Sequence, residues 1–307
     1  MNNLMIEKNQ NIIIIGAGPA GLSLSATLKM CSISHIVLEK ASYSGGQIFY
    51  INNPLEDLII DDLNTGKDLI FKFENFNKKH NLPVQYETEI FKIDTKNNTI
   101  FVKHLDNQSS LKYNKLVIAS GCRLNMNKAF NGSGFDDDIY HRISGKIDDF
   151  KNKIVAIVGN GDNAAIACLK ISNIAQNIIL INRSEIWKAR RDLVEKILKL
   201  PNVKVFYTSN IIKVKGNQKI ESAEIQSKSI KIKIQLDKLI FKIGYIPNTE
   251  FLNGVVEIDK DGYIVGKEKF LTSNPNIFAI GDVLSGTFKR IAIAMAHGTE
   301  LGNYLIR

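Results

Sequence analysis

The stretch Ile12-Ile13-Ile14-Ile15-Gly16-Ala17-Gly18-Pro19-Ala20-Gly21 decides the fold. Its plan returns at mid-chain as Ile154-Val155-Ala156-Ile157-Val158-Gly159-Asn160-Gly161-Asp162-Asn163-Ala164. Each begins with an unbroken apolar run, as expected of a strand buried on both faces, and passes through a glycine turn into a helical pattern. One such turn is weak evidence; two, each between a strand and a helix, are strong. The first glycine (Gly16, Gly159) permits the tight turn, and the second (Gly18, Gly161) lets the backbone approach a pyrophosphate. The third small residue (Gly21, Ala164) lets helix pack on strand. Pro19 presets the first helical turn in one copy. The N–H groups of that turn, with Ala20 in one copy and Asp162 and Asn163 in the other, are free for phosphates.

Each copy leads to a second apolar strand, 35–38 and 178–181, and in both the next residue stands 23 positions after the first glycine. In the first copy that residue is Glu39, followed by Lys40. A carboxylate there accepts hydrogen bonds from ribose hydroxyls, the arrangement expected for FAD or NAD. In the second copy it is Asn182, followed by Arg183, with Lys188, Arg190 and Arg191 nearby. That composition suits the 2′-phosphate of NADPH; the alternative is that the basic residues solvate the start of a helix.

The 307 residues are comfortable for two domains, and 44% hydrophobic with 23% charged residues is ordinary for a globular protein. No apolar run approaches the ~20 residues of a membrane span. The first ten residues are polar and lack a signal-peptide core, and three scattered cysteines make no disulfide framework. A cytoplasmic location is expected. Residues 151–250 hold 15 Lys and 3 Arg against 8 acidic residues, so this stretch carries the whole of the formal +9. Such a surface could attract NADPH, an acidic electron-transfer protein or nucleic acid. No nucleic-acid-binding motif accompanies it, and its lysines alternate through strand patterns as solvated faces do, so no nucleic-acid partner is expected.

Along the chain the pattern predicts a helix over 19–30, a loop over 41–54 and a helix over 66–80. A β-meander follows from 87–94, 99–105 and 111–113, then a buried strand over 116–119 closed by Ser120-Gly121. Residues 125–150 read as a polar linker. The second copy then predicts helices over 163–174 and 189–200, a meander over 211–236 and a strand over 239–243. The segment 244–249 is a turn, 276–280 a short buried strand ending in Gly281-Asp282, and 290–305 a helix. One strand and one helix bury no core alone, so they return to the first domain. The expected fold is α/β with two Rossmann-like, three-layer ββα nucleotide-binding domains, the second inserted into a discontinuous first: 1–121, 122–243 and 244–307.

Over essentially the full chain this order of motifs resembles the low-molecular-weight thioredoxin reductase family of flavoproteins. The resemblance rests on the two glycine motifs, on Gly45-Gly46-Gln47, on Ala119-Ser120-Gly121 and on Gly244 with Pro247-Asn248-Thr249. Ile277-Phe278-Ala279-Ile280-Gly281-Asp282 completes it. It implies FAD in the first domain, with Asp282 bonded to the ribityl chain, and NADPH in the second. The helix after Arg290-Ile291 would aim its N-terminus at the flavin pyrimidine. Gly46, Gln47, Ile90, Ala119, Ser120, Gly121, Gly281, Asp282, Arg290 and Ile291 are accordingly expected among the FAD contacts, and a homodimer is expected.

The departures bear on function. The family's Cys-x-x-Cys is replaced by Tyr140-His141-Arg142-Ile143-Ser144-Gly145, and disulfide exchange needs a thiolate and a resolving thiol. The chain resembles instead the branch without the dithiol, which includes ferredoxin- or flavodoxin-NADP reductases of thioredoxin-reductase type. Their flavin-stacking tail is expected to be missing, since the sequence stops at Ile306-Arg307. The family's Arg-Gln reads Arg290-Ile291, an Asp reads His297, and Ile166 stands where an acid is common.

His297 is the one candidate catalytic residue: it would donate to the pyrimidine carbonyl or shuttle a proton, or else cap local backbone. Cys31 and Cys168 read as buried hydrophobes, and Cys122, near the expected hinge, is a redox candidate. His141 either faces the flavin or is a solvent histidine. Trp187 is expected to pack, and Asp136-Asp137-Asp138 reads as a solvated turn; no metal site is expected. The leading expectation is an enzyme moving a hydride from NADPH to FAD and then electrons to flavodoxin or ferredoxin, a quinone or a small organic substrate. The contrasting one is a flavin- or nucleotide-binding redox sensor without turnover.

Overall fold

The structure, a computed structural model, describes residues 9–52, 54–55, 58–59, 63–126 and 134–307. It divides into two units, Met1–Arg123 with Ile246–Arg307, and Leu124–Tyr245. These junctions fall two residues beyond the expected ones.

The first unit opens with β1 (Asn9–Ile15), α1 (Pro19–Met30) and β2 (His35–Leu38), followed by α2 (Gly66–His80), whose N-terminus carries a capping box between Thr65 and Asp68. Then come β3 (Val84–Gln85), β4 (Thr88–Asp94), β5 (Thr99–His104) and β6 (Asn107–Ile118). The segments expected as separate strands at 111–113 and 116–119 are one strand. The N-terminal half of β6 pairs antiparallel with β5, while its C-terminal half pairs parallel with β1. The order β3-β2-β1-β6-β5-β4 therefore joins parallel layer and meander in one seven-stranded sheet.

β7 (Cys122–Leu124) leads into the second unit, where β8 (Ile139–Tyr140) emerges from the segment expected as linker; residues 127–133 of that segment lie outside the described residues. There follow β9 (Ile154–Val158), α3 (Asp162–Ile171), β10 (Asn177–Ile181), α4 (Arg191–Leu198) and β11 (Val203–Phe206). The meander β12 (Ser209–Gly216), β13 (Ile220–Ser227) and β14 (Ile230–Gln235) precedes β15 (Lys238–Phe241). A parallel sheet β11-β10-β9-β15-β8 and a separate antiparallel sheet β12-β13-β14 result. The chain returns through β16 (Tyr245–Pro247), within the expected turn, which pairs with β7. It then adds β17 (Ile277–Ala279) to β6 and ends in α5 (Ile291–Ile306).

Each unit is three layers deep, as expected. In the first, Ile12, Ile14 and Val37 face α1 and α5, while the alternate Ile13, Ile15 and Ile36 face the meander residues Ile100, Val102 and Leu111. In the second, Val155, Ile157 and Leu180 face the helices, and Ala156, Val158 and Ile181 face Ala223, Ile225 and Ile234. Alternation on strands that are apolar throughout is what a sheet covered on both faces requires.

Asp138, expected in a solvated turn, is buried. It accepts bonds from Lys238 Nζ at 2.6 Å and the Ile220 N–H at 2.9 Å. Those partners satisfy the charge that burial would otherwise penalise.

Helices α1 and α5 touch through glycine. A methyl group on Gly298 would collide with the Ala20 carbonyl oxygen and lie 2.8 Å from Leu24 N. Gly298→Ala is therefore expected to destabilise the protein by about 1–3 kcal/mol, as overpacking does, seen as a lower urea midpoint. An unchanged midpoint would show that the helices part at no cost.

Candidate functional site

The two glycine turns are built alike. Gly16 has φ +108°, and a Cβ there would sit 2.5 Å from the Ala119 carbonyl oxygen; Gly159 has φ +140° and would collide with the Lys242 carbonyl oxygen. A Cβ on Gly21 would strike the Gly16 carbonyl oxygen. At Gly18 and Gly161, by contrast, a Cβ would meet nothing within 4 Å. These two residues are the N-caps of α1 and α3, and neither helix start receives a side-chain cap. Open backbone at an uncapped N-terminus fits a pyrophosphate.

The likeness extends past the motifs. Gly16 N–H donates to Leu38 O at 2.8 Å and Gly159 N–H to Ile181 O at 3.1 Å, which makes Glu39 and Asn182 counterparts. Glu39 N–H donates to Gln85 O and Asn182 N–H to Phe206 O; Thr88 N–H donates to Glu39 O and Ser209 N–H to Asn182 O. Glu87 and Thr208 both take positive φ, and the meanders bulge alike after Ile90 and Ile211. Sequence reasoning missed this second repeat, whose signal is Tyr86-Glu87-Thr88 against Tyr207-Thr208-Ser209. Ile90 itself is a buried core residue.

At the first tip, Glu39 accepts the Ala17 N–H at 2.7 Å and the Ala41 N–H at 2.8 Å. Burial pushes its carboxyl above the usual range, an effect the Ala41 and Ala17 bonds partly offset. Lys40 is turned away in an exposed pair with Glu89. Gly45 N–H donates to Ala17 O, so the Gly45-Gly46-Gln47 loop lies against the first glycine turn. Ala119 N–H donates to Ile15 O. Ser120 and Asn248 exchange two bonds of 2.8 Å, and Asn248 N–H donates to Gly121 O.

The Gly281-Asp282 turn is held from several sides. His297 Nδ1 accepts the Gly281 N–H at 3.2 Å, Cys122 Sγ donates to Asp282 O at 2.9 Å, and Lys289 Nζ donates to the same carbonyl at 2.7 Å. Burial pushes the Asp282 carboxyl up. It pushes the His297 imidazole down, Glu300 opposing and Lys289 assisting. An imidazole whose Nδ1 accepts a backbone N–H is neutral, and here it caps the Gly281 backbone. The Cys122 thiol is buried and pushed up to about 11, and that of Cys168 to about 12, far from the thiolate that redox chemistry needs. Arg290 is the N-cap of α5, and Ile291 packs against Ile48 and its apolar neighbours.

At the second tip, Asn182 is fully buried, and neither end of its amide finds a partner among the described residues. The basic loop beyond it is laced to the glycine turn. Asn160 O accepts the Lys188 and Ala189 N–H groups, Asn160 Nδ2 donates to Ser184 Oγ and Ile186 O, and Asp162 accepts the Arg190 N–H. Arg190 and Arg191 are paired with Asp192 and Glu195. Arg183 and Lys188 are exposed and make no ion pair among the described residues. Trp187 packs at this loop and donates to Tyr207 OH. Among the described residues no group of His, Cys, Asp and Glu is set to hold a metal, and no helix is long and apolar enough to cross a membrane.

Two Rossmann-like units with paired glycine turns and paired strand tips define a dinucleotide-dependent oxidoreductase. A family model, pyridine nucleotide-disulphide oxidoreductase, matches residues 10–298, and the chain belongs to that family. Within it the chain is thioredoxin reductase-like. It is 28% identical over 305 residues to the thioredoxin reductase of Borreliella burgdorferi, covering 96% of this chain and 92% of the relative. The fold matches a Lactococcus lactis thioredoxin reductase with TM-score 0.81 at 20% identity, covering 97% and 98% of the chains. It also matches the bacillithiol disulfide reductase of Bacillus cereus with TM-score 0.79 at 15% identity, covering 97% and 99%. The protein is thus an FAD- and NAD(P)H-dependent oxidoreductase by family.

Gly18→Ala and Gly161→Ala are expected to cost no more than about 1 kcal/mol of stability, as Ala for Gly at an N-cap does. Gly18→Ala should release flavin during gel filtration, and Gly161→Ala should weaken NADP+ in calorimetry. Full retention of both ligands would show that the open faces are not the phosphate seats.

Proposed function

We propose that the protein takes hydride from NADPH and passes electrons through FAD to an acceptor other than thioredoxin. The observation that carries this is the combination of two intact dinucleotide turns with a chain that has no Cys-x-x-Cys and two deeply buried thiols. FAD, when bound, supplies two-electron chemistry between nicotinamide and acceptor. The chain's part is to bind and orient. The N–H groups at Gly18, Ala20 and Gly21 offer the pyrophosphate seat of the first unit, with Glu39 offered to the ribose hydroxyls. The open turn at Gly161 does the same in the second unit, and Arg183 with Lys188 offers uncompensated positive charge for a 2′-phosphate. Asp282, in its braced turn, is positioned for the ribityl chain. The Gly45-Gly46-Gln47 and Ala119-Ser120-Gly121 segments flank the first glycine turn.

Cofactor released by heat is expected to be FAD, and recovery of FMN alone would refute the assignment. Anaerobic stopped-flow mixing with NADPH should bleach the flavin, and added thioredoxin should not raise NADPH consumption. Persistent yellow colour under NADPH would instead favour a sensor without turnover. Arg183→Ala should weaken NADPH more than NADH, by roughly 1–3 kcal/mol for a charge-assisted contact. Equal losses would mean that Arg183 does not read the 2′-phosphate.

A further inference from the structure

A polar row crosses the sheet of the first unit at the end opposite its glycine turn. β1 pairs in parallel with both neighbours, Ile12 lying beside His35 of β2 and beside Lys115 of β6. One step back in the same register, Asn11 stands between Ser34 and Asn114. Asn114 Nδ2 donates to Asn11 Oδ1 at 2.6 Å, as that register allows. The turn between β4 and β5 adjoins the row. Tyr113 N–H donates to Asn98 O at 2.9 Å, and Asn98 takes the left-handed conformation, φ +47°. These residues, with Asn97 and Lys112, line a cleft of about 610 Å³. The strand from Asn11 to Gly16 rises about 16 Å, so a ligand in this cleft is clear of the pyrophosphate seat.

The hydrogen-bonding groups of the cleft are mixed in kind. Asn97 Nδ2 donates to Asp94 at 2.8 Å, and Asn98 Oδ1 accepts from Asn276 Nδ2 at 3.4 Å. Among the described residues this leaves Asn97 Oδ1 and Asn114 Oδ1 as acceptors, with Asn11 Nδ2 and Asn98 Nδ2 as donors. The Lys112 ammonium adds a further donor. Tyr113 is only 3% exposed, and its hydroxyl has no partner among the described residues. Burial, with Asp94 adding, pushes this phenol up to about 12, so it stays protonated and can both donate and accept. A buried hydroxyl left without a partner costs free energy that a bond to a ligand restores.

The mixture selects the chemistry of the ligand. An oxyanion only accepts, and here it would face two amide oxygens with the Asp94 carboxylate behind them. An apolar molecule would satisfy none of these groups, and the pockets that take such molecules are lined mostly by apolar side chains. Hydroxyl groups each donate and accept, and so match a wall of alternating amide donors and acceptors. We propose that this cleft binds a neutral, hydroxyl-rich ligand of the saccharide class, held by Asn11, Asn97, Asn98 and Asn114, with Tyr113 as its buried partner. The site is separate from both dinucleotide turns and does not depend on which acceptor the flavin reduces.

The test uses the FAD-loaded protein with maltose as the probe and inorganic phosphate as the anionic control. Saturation-transfer difference NMR and calorimetric titration both read binding without turnover. Maltose should bind at millimolar concentration with one site per chain, and phosphate should not compete. Asn98→Gly deletes an amide while keeping the backbone, since glycine adopts a positive φ freely. Asn114→Ala deletes a second amide at an exposed position. Tyr113→Phe removes a single oxygen. Each should weaken maltose about fivefold, the worth of one neutral hydrogen bond, with flavin content unchanged. Without maltose, Tyr113→Phe should also raise the urea midpoint, because it removes a buried hydroxyl that has no partner. A lowered midpoint would place a partner inside the protein and overturn the role given to Tyr113. No maltose binding by the wild type, or unchanged affinity in all three variants, would overturn the site. Binding of phosphate in place of maltose, lost in Lys112→Met, would overturn the ligand class.

Discussion

One missing methyl group, at residue 16 and again at 159, is the constraint on which each unit depends. At both positions the backbone turns through a conformation that side chains rarely adopt, and it does so against the carbonyl oxygen of the neighbouring strand, Ala119 or Lys242. The turn must lie that close for the next helix to start over the sheet. From this follow the open N-caps at Gly18 and Gly161 and the depth at which Gly21 meets Gly16. The rest of each unit covers the two faces of a sheet whose strand order that crossover fixes.

Much of this was legible in the sequence, because strand burial and glycine spacing are local signals. The helices at 19–30 and 66–80 end at Cys31, which leaves helical geometry, and at Asn81, which takes the left-handed conformation that asparagine tolerates at a helix C-terminus. What the sequence hid was non-local. β6 reads as two strands because Asn114 and Lys115 interrupt its apolar run, yet its backbone continues since each half has a different partner. Asp138 reads as solvated because its partner, Lys238, lies 100 residues on. The four basic residues near 183–191 read as one group, and only the fold divides them into Arg190 and Arg191, which are paired, and Arg183 and Lys188, which make no ion pair among the described residues. The bond that joins His297 to the Gly281 N–H was not legible, since the two residues lie sixteen positions apart.

The braced turn at Gly281-Asp282 shows how the first unit spends buried polar groups. A thiol and an ammonium converge on one carbonyl while an imidazole takes the adjacent N–H. Each donor is satisfied, so the turn is rigid at little cost, and the one group left for other work is the Asp282 carboxylate. Cys122 is thereby explained as a structural donor, which accounts for a cysteine next to the junction without any disulfide.

The two copies of the architecture differ in how their layers are joined. In the first unit β6 threads both the nucleotide-facing layer and the meander, so the backbone ladder is continuous from Val84–Gln85 to Thr88–Asp94. In the second, the meander is a separate sheet, held to its neighbour by side-chain packing and by backbone bonds such as that from Ser209 N–H to Asn182 O. The first is one cooperative block in which neither layer can melt without the other. The second is a laminate whose outer ply turns Lys213, Lys215, Lys231 and Lys233 to its exposed side while Ala223, Ile225 and Ile234 pack inward, so changes at the lysines leave the buried contacts with the dinucleotide sheet in place. A cell that retunes the surface of this protein has a replaceable layer on which to do it.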